Sequence, residues 1–237
     1  MRDYTIARYG DWGTVATLVA QRLLNMNMGP SEHFLVEDAK FGPKTLHAVR
    51  RFQQQHPPLV VDGIVGPKTF EALELKTLES YRVRPHAQRQ GGRCWAAAAA
   101  MLLGGLEPSA GNAQTNHRGA LIDTDANVEA FGKGLNWDFF SAAAPIQRLL
   151  AALDRGPLWM GGDSVNARGT ADAIHALVLA GMFLYEFSGK KKVLLRIYDP
   201  WPPGQGRIYF MQFEDPRLPG CNFFKVRWFL SPRVWLP

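Results

Sequence analysis

The chain has 237 residues, of which 46% are hydrophobic and 20% are charged, so a disordered protein is excluded and one or two globular domains are expected. The formal net charge of +6 is compatible with acidic partners such as nucleic acid, an anionic membrane or a cell-wall polymer. Because the basic residues are scattered, apart from a short run at 190–192, nucleic-acid binding is not predicted.

No apolar run reaches the ~18–20 residues that span a bilayer, so no transmembrane segment is predicted. Residues 1–13 lack the apolar region of a classical secretory signal. The two cysteines, Cys94 and Cys221, are too few for a disulfide framework and lack the clustered spacing of a zinc site, so no metal is predicted. A single bridge between the two remains an alternative.

The first predicted element is an apolar helix at about 15–24, and a Gly-Pro-Lys-Thr motif then occurs twice, at 42–45 and 66–69. Each proline suits the first turn of a helix, where a missing N–H breaks no bond. Gly42 and Gly66 are expected to adopt backbone angles that are closed to other residues. Apolar residues follow both motifs at helical spacing, so we predict a small three-helix domain within residues 1–78.

The stretches "FGPKTLHAVRRFQ" and "VVDGIVGPKTFEAL" resemble the peptidoglycan-binding repeat module of bacterial cell-wall enzymes. The resemblance implies binding to cell-wall glycan and peptide, with Asp62 and Gly63 as candidate substrate-binding residues in a turn. The first repeat departs from the family by reading "EDAKFG" where Asp-Gly is usual. Since the motif residues mainly set turns and packing, a bundle that only caps or orients the neighbouring domain is the alternative.

Residues 79–87 mix charged, aromatic and proline residues, which is typical of a linker. In residues 88–237, helices are predicted near 127–135 and 145–153. Apolar runs rich in Val, Ile, Phe and Tyr follow, separated by Gly or Pro. Helices followed by antiparallel strands indicate an α+β fold rather than a doubly wound parallel sheet.

Cys94 lies in "QRQGGRCWAAAAAML", between a glycine pair and an alanine run of high helix propensity. A cysteine at a helix N-terminus is favoured in its thiolate form, which is the nucleophilic one. The small alanines would also let other elements pack closely against this helix. The alternative is an inert cysteine buried in an alanine-rich core helix.

A nucleophilic cysteine needs a base, and His175 is the candidate because it opens the predicted strand "HALVLAGMFLYEF". A base works best when a third group orients its ring. Asp199 ends the next apolar run and is the candidate for that task. The amide of Gln88, six residues before Cys94, could donate to an oxyanion, with Gln90 as its rival. The alternatives are a structural histidine, a strand-ending Asp-Pro turn and a polar linker glutamine.

The order Gln, Cys-Trp, His-Ala, Asp-Pro resembles that of papain-like cysteine peptidases, especially bacteriocin-leader peptidases and secreted effector proteases. The resemblance spans about residues 84–237 and implies that Cys94 is the nucleophile and His175 the general base and acid. It further implies that Asp199, which replaces the Asn of longer relatives, orients the imidazole, and that Gln88 serves the oxyanion hole.

Two tryptophans complete the set of candidate substrate-binding residues. Trp95 follows the nucleophile as it does in the family, and Trp201 lies just past the candidate orienting aspartate. Since buried aromatic residues usually pack cores, packing is the alternative for both.

The resemblance implies hydrolysis of an amide through an acyl-enzyme, with no metal or organic cofactor. Combined with the N-terminal module, it suggests a bacterial effector that a specialised secretion system delivers and that cuts cell-wall peptides. An immunity or inhibitor protein would then be a further partner. The alternatives are a toxin protease that cleaves a protein in a target cell and a non-catalytic cell-wall-binding protein.

Overall fold

The computed structural model describes residues 2–28, 34–143, 146–165, 171–213 and 223–233. The helices are α1 Val15–Asn27, α2 Pro43–Gln55, α3 Pro67–Ala72, α4 Cys94–Leu102, α5 Asp125–Gly134 and α6 Ile146–Leu153. The strands are β1 Arg2–Tyr4, β2 Lys76–Ser80, β3 Trp137–Ser141, β4 Leu158–Val165, β5 Ala171–Phe187, β6 Lys190–Asp199, β7 Arg207–Gln212 and β8 Phe223–Pro232. The predicted α+β class is confirmed.

The strands of the described ranges form one sheet in the order β1-β7-β6-β5-β4-β8-β3, and β2 pairs with β5 outside that order. The pairs are antiparallel except for β1 with β7. Successive side chains of β5 point to opposite faces. Ala176 and Val178 join the core that holds α4 and α5, whereas Leu177 and Leu179 join the core that holds α6. The sheet is therefore covered by helices on both faces.

Three short strands were not predicted, because their sequences carry too little apolar alternation. β1 reads "RDY", β2 reads "KTLES" and β3 reads "WDFFS". The long strand β5 begins at Ala171, so the prediction that His175 opens this strand is wrong. Pairing of Ala171, Ala173 and Ile174 with β4 extends the strand beyond its apolar run.

The N-terminal helices pack directly on the far end of the sheet. Phe183, Tyr185 and Phe210 from the sheet belong to the same buried cluster as the apolar residues of α1, α2 and α3. Arg22 Nη1 donates to the Tyr185 hydroxyl at 3.3 Å. Strand β2 crosses the predicted boundary between residues 1–78 and the linker 79–87, so the end of the module is part of the sheet. The boundaries themselves stay a prediction.

The two Gly-Pro-Lys-Thr motifs begin α2 and α3, with each proline at the first helical turn as predicted. Gly42 and Gly66 have φ values of −90° and −92° and extended backbone that any residue adopts. No atom lies within 4 Å of a Cβ built at either position. The prediction of special backbone angles at these two glycines is therefore wrong.

A buried glutamine organises each repeat. In the first, Gln21 Nε2 donates to Asp38 Oδ1 at 3.1 Å and to the Lys40 carbonyl at 3.2 Å. The Ala39 N–H donates to Gln21 Oε1 at 3.0 Å, and Thr45 of the motif lies 3.4 Å from Gln21 Nε2. Ala39 takes the φ of +58° that this turn requires, so "EDAKFG" forms the turn despite its departure from Asp-Gly.

The second repeat has the same arrangement. Gln53 Nε2 donates to Asp62 Oδ1 at 2.9 Å and to the Ile64 carbonyl at 3.0 Å, and Thr69 lies 3.4 Å from it. The Gly63 N–H donates to Gln53 Oε1 at 2.9 Å. Asp62 and Gly63, proposed from the sequence to bind substrate, thus hold the turn against the helix bundle.

We expect Gly63→Ala to lower the free energy of unfolding by ~2 kcal/mol, because Gly63 has a φ of +77° and a Cβ would lie 2.4 Å from Leu46 Cδ1. The matched control is Gly134→Ala in α5, where no atom lies within 4 Å of the added Cβ. That control should be neutral or stabilising by ~0.5–1 kcal/mol. Thermal unfolding followed by circular dichroism checks both; equal melting temperatures for the two variants would contradict the expectation.

Candidate active site

Cys94 is the first residue of α4, and its thiol is free and largely buried. The preceding residue, Arg93, occupies the N-cap position without a side-chain capping bond. The unpaired N–H groups and the dipole of the first helical turn favour a negative charge at this place. The free thiol also makes the alternative of a Cys94–Cys221 disulfide wrong, and Cys221 itself lies outside the described residues.

The alanines of α4, residues 96–100, are fully buried. Three of them, Ala96, Ala98 and Ala99, pack in one cluster with Ala176, Val178 and Ala180 of β5. Because neither side presents a large side chain, the helix can approach the strand closely, as the alanine run predicted. This packing places the N-terminus of α4 beside the stretch of β5 that carries His175.

The glycine pair before Cys94 lets a second loop pack against the same segment. Gly92 has a φ of +80°, and a Cβ there would lie 2.6 Å from the Arg118 carbonyl oxygen. The same loop also contacts Trp95, whose indole Nε1 donates to the Gly119 carbonyl at 2.9 Å. Trp95 is 2% exposed, and its carbonyl accepts from Trp159 Nε1 at 3.1 Å. Its contacts are those of a packing residue.

His175 Nε2 lies 2.7 Å from Asp199 Oδ1. Asp199 is the last residue of β6, the neighbour of β5, and is 2% exposed. Its Oδ1 also accepts the Trp201 backbone N–H at 2.8 Å, and its Oδ2 accepts from Arg207 Nη2 at 3.1 Å. The carboxylate is therefore fixed by three donors and faces the imidazole.

His175 and Cys94 line the same small cavity, and the Cys94 side chain interacts with the imidazole. Since Nε2 is bonded to Asp199, Nδ1 is the ring nitrogen that remains for the sulfur. Burial alone would lower the pKa of His175, but the hydrogen bonds and charges of Asp199 and Cys94 outweigh burial and raise that pKa from 6.5 to about 10. The raised pKa favours the protonated imidazole, which is the form that His175 would take in a thiolate–imidazolium pair.

Gln88 is 2% exposed, and its Nε2 donates to the Gln90 carbonyl at 2.9 Å. Its Oε1 has no hydrogen-bond partner among the described residues. The backbone of Gln88 binds the turn that follows Asp199, since its N–H donates to the Pro200 carbonyl at 3.1 Å and its carbonyl accepts from Gly204 at 2.9 Å. The structure thus joins the segment before Cys94 to the segment after Asp199.

A small cavity of ≈20 Å³ lies beside the sulfur and the imidazole. Its remaining walls are mainly apolar and are formed by Trp95, Ala120, Leu121, Ile122, Asp123, Val128, Trp159, Ile174, Ala176 and Trp228. Trp201 does not line this cavity; its side chain is 42% exposed on the turn beyond Asp199. Asp62 and Gly63 lie in the N-terminal module and do not line it either.

Arg207 was not singled out from the sequence. It begins β7 and lies opposite Asp199 in the pairing of β6 with β7. In the sequence, an arginine before an apolar strand looks like an ordinary surface residue. Its contact with the Asp199 carboxylate is seen only from the pairing of β6 with β7.

Comparison with known protein families gives two matches. Residues 18–73 match the family described as a putative peptidoglycan binding domain. Residues 77–216, more than half of the chain, match the family described as papain-like cysteine protease AvrRpt2.

The chain belongs to the AvrRpt2 family of papain-like cysteine proteases. The protease is therefore a hydrolase of the cysteine peptidase class, and the matched range contains Cys94, His175 and Asp199. No curated protein matches the protease. Within the described part of the chain, no helix has the length and apolar character needed to cross a membrane.

Proposed function

We propose that Cys94, His175 and Asp199 form the catalytic triad that hydrolyses an amide bond. The observation that carries this proposal is the imidazole of His175, which is bonded to the Asp199 carboxylate and lines one small cavity with the Cys94 thiol. In the first step the Cys94 thiolate attacks the amide carbonyl carbon, and the imidazolium of His175 gives its proton to the departing amine. Neutral His175 then takes a proton from water, and the hydroxide attacks the thioester, which releases the acid and restores the thiolate–imidazolium pair.

The oxyanion that forms during attack needs hydrogen-bond donors. The backbone N–H of Cys94 is one candidate, since it lies at the unpaired N-terminus of α4. Gln88 is the second candidate, as a primary amide carries two N–H hydrogens and the Gln90 carbonyl uses one of them. The other hydrogen is the one we assign to the oxyanion.

For the substrate we propose the peptide part of bacterial peptidoglycan. The match of residues 18–73 to a putative peptidoglycan binding domain supports this proposal, because that module shares a core with the catalytic sheet. The cavity beside the sulfur is small and apolar, which suits the methyl side chain of an alanine in a cell-wall peptide better than a large side chain.

The role we propose is that of a secreted antibacterial effector, delivered to a target cell and neutralised by an immunity protein in the producing cell. The pairing of a peptidase with a wall-binding module supports this role. A second candidate is a toxin that cleaves a protein in the target cell, and the match to a protease family favours it.

Digestion of purified sacculi tests the substrate. The full chain is incubated with sacculi and, in parallel, with a bacterial proteome, and new amino termini are identified by mass spectrometry. New amine ends in the sacculi are expected, and the Cys94→Ala variant should release none. Cleavage of proteome peptides alone would favour the protein-cleaving toxin, and no cleavage of either together with an unreactive Cys94 would contradict both candidates.

A further inference from the structure

The Asp199 carboxylate has a permanent cationic partner on the side away from the imidazole. Its Oδ1 serves His175 and the Trp201 N–H, whereas its Oδ2 accepts from Arg207 Nη2 at 3.1 Å. The Asp199 side chain is 3% exposed, and that of Arg207 is 29% exposed. The pair is therefore mostly shielded from water, unlike an ordinary surface salt bridge.

Arg207 is itself held in place by several contacts. It is the cross-strand partner of Asp199 in the β6–β7 pairing. Its Nε donates to the Trp201 carbonyl at 3.3 Å, and its guanidinium lies 5.9 Å from the centre of the Tyr209 ring. The guanidinium thus bridges the Asp199 carboxylate and the turn that follows it. A shift of Arg207 would therefore displace both the carboxylate and the turn.

We propose that Arg207 is a positioning residue of the triad, which keeps the Asp199 carboxylate aimed at His175 and thereby maintains the reactive form of Cys94. This inference rests on the proposed function, because it assigns Arg207 a role only if the triad is catalytic. Arg207 touches neither the nucleophile nor the cavity beside it in the described structure.

The charge balance explains why such a residue is needed. His175 is a cation only during part of the catalytic cycle, since it gives its proton to the departing amine. At that moment a buried carboxylate without another cation would lose its compensating charge, which is costly away from water. An arginine keeps its charge at every working pH, so the Asp199–Arg207 pair remains neutral as a unit while His175 changes state.

The charged and titratable groups involved come from four packed elements. In the described residues Asp199 of β6 contacts His175 of β5 and Arg207 of β7, and His175 contacts Cys94 of α4. With the guanidinium removed, Asp199 is free to turn away from the imidazole. The thiolate–imidazolium pair then forms less readily, although the binding surface for substrate is untouched.

The test measures alkylation of Cys94 by iodoacetamide against pH, in full-length protein carrying Cys221→Ala so that one thiol reports. In Arg207→Gln we expect the alkylation profile to move to higher pH by about one unit or more, because the imidazole that assists the thiol is no longer held in place. Arg207→Lys retains the charge but loses the planar two-point contact, so a smaller shift in the same direction is expected. The control Arg233→Gln breaks a more exposed pair of similar length, Arg233 Nε with Asp138 Oδ1 at 3.0 Å, away from the site, and should leave the profile unchanged.

Turnover gives a second readout, with sacculi and labelled casein as the two probes. For whichever probe the wild type cleaves, kcat of Arg207→Gln should fall ~10–100-fold with little change in KM, because orientation is lost while binding is kept. A folded Arg207→Gln with the wild-type profile and kcat would overturn the inference, as would an equal loss in Arg233→Gln. Should Arg207→Gln not fold, Arg207→Lys decides, and a wild-type alkylation profile in that variant overturns it.

Two different results would refute the proposed triad and the positioning role of Arg207. Activity that survives Cys94→Ala would refute the proposed triad and the role of Arg207 with it. Activity that requires Cys94 but is indifferent to Arg207 would refute the positioning role alone.

Discussion

Replacing Cys94 with alanine should reduce turnover by at least ~10⁴-fold, because no other group supplies the nucleophile. The fold should survive the change, since the new alanine extends the buried alanine run of α4 and removes only one small, nearly buried atom. Binding to sacculi, which we assign to the N-terminal module, should be unchanged. Release of amino groups from sacculi and casein, pelleting with sacculi and thermal unfolding provide the three measurements.

Two further variants make this result specific to the sulfur of Cys94. Cys94→Ser keeps nearly the same shape and should be almost as inactive as Cys94→Ala, because a hydroxyl is not ionised by the imidazole in the way a thiol is. Cys221→Ala should retain activity. Turnover by Cys94→Ala at the wild-type rate would refute the mechanism.

Loss of His175 should have an effect of similar size. We expect His175→Gln to lower kcat by ~10³-fold or more, since Cys94 loses both its base and the acid that protonates the leaving amine. His56→Gln in the N-terminal module is the control, because the imidazole of His56 bonds to the Phe52 carbonyl and stacks on the Phe52 ring, away from the candidate active site. That variant should keep wild-type activity.

The pH dependence of the wild type should report the same imidazole. In the proposed mechanism the imidazolium is the active form, and the pKa of His175 is raised to about 10, so kcat/KM should fall on the alkaline side near pH 10 rather than near 6.5. The raised pKa of His175 also determines how the stability of the fold depends on pH. Protonated His175 contributes stability that is fully present below pH 6.5 and is lost as the pH rises through about 10. An alkaline limb near pH 6.5, or a stability difference between wild type and His175→Gln that grows above pH 10, would contradict this assignment.

Local sequence patterns were sufficient to predict where Cys94 and Asp199 lie in their own elements, but not where His175 lies in β5. A glycine pair followed by alanines predicts Cys94 at a helix start, and an apolar run ending in Asp-Pro predicts Asp199 at a strand end. Their meeting with His175 could not be derived locally, because it depends on β6 lying beside β5 and on α4 packing against β5. The ordered resemblance to a known family supplied that missing step.

The incorrect and missed predictions also concern features that depend on contacts between distant parts of the chain. Gly42 and Gly66 looked conformationally necessary, yet their backbone is extended and the special angles occur at Ala39 and Gly63 instead. Arg207 went unnoticed because a cross-strand neighbour is fixed by register, and register is set by tertiary pairing. β2 was missed because five residues of mixed polarity become a strand only when β5 offers them a partner.

The common core of the N-terminal helices and the sheet limits how far the candidate active site can move relative to the N-terminal module. A module on a flexible tether would let the catalytic groove sweep a broad volume around its anchorage. Here the N-terminal helices and the catalytic sheet share a buried cluster that includes Phe183, Tyr185 and Phe210, so the two parts are held at a fixed distance and angle. A polymer gripped by the helices would therefore be cut only at a set offset and from one direction, so that its products should be uniform in length rather than random.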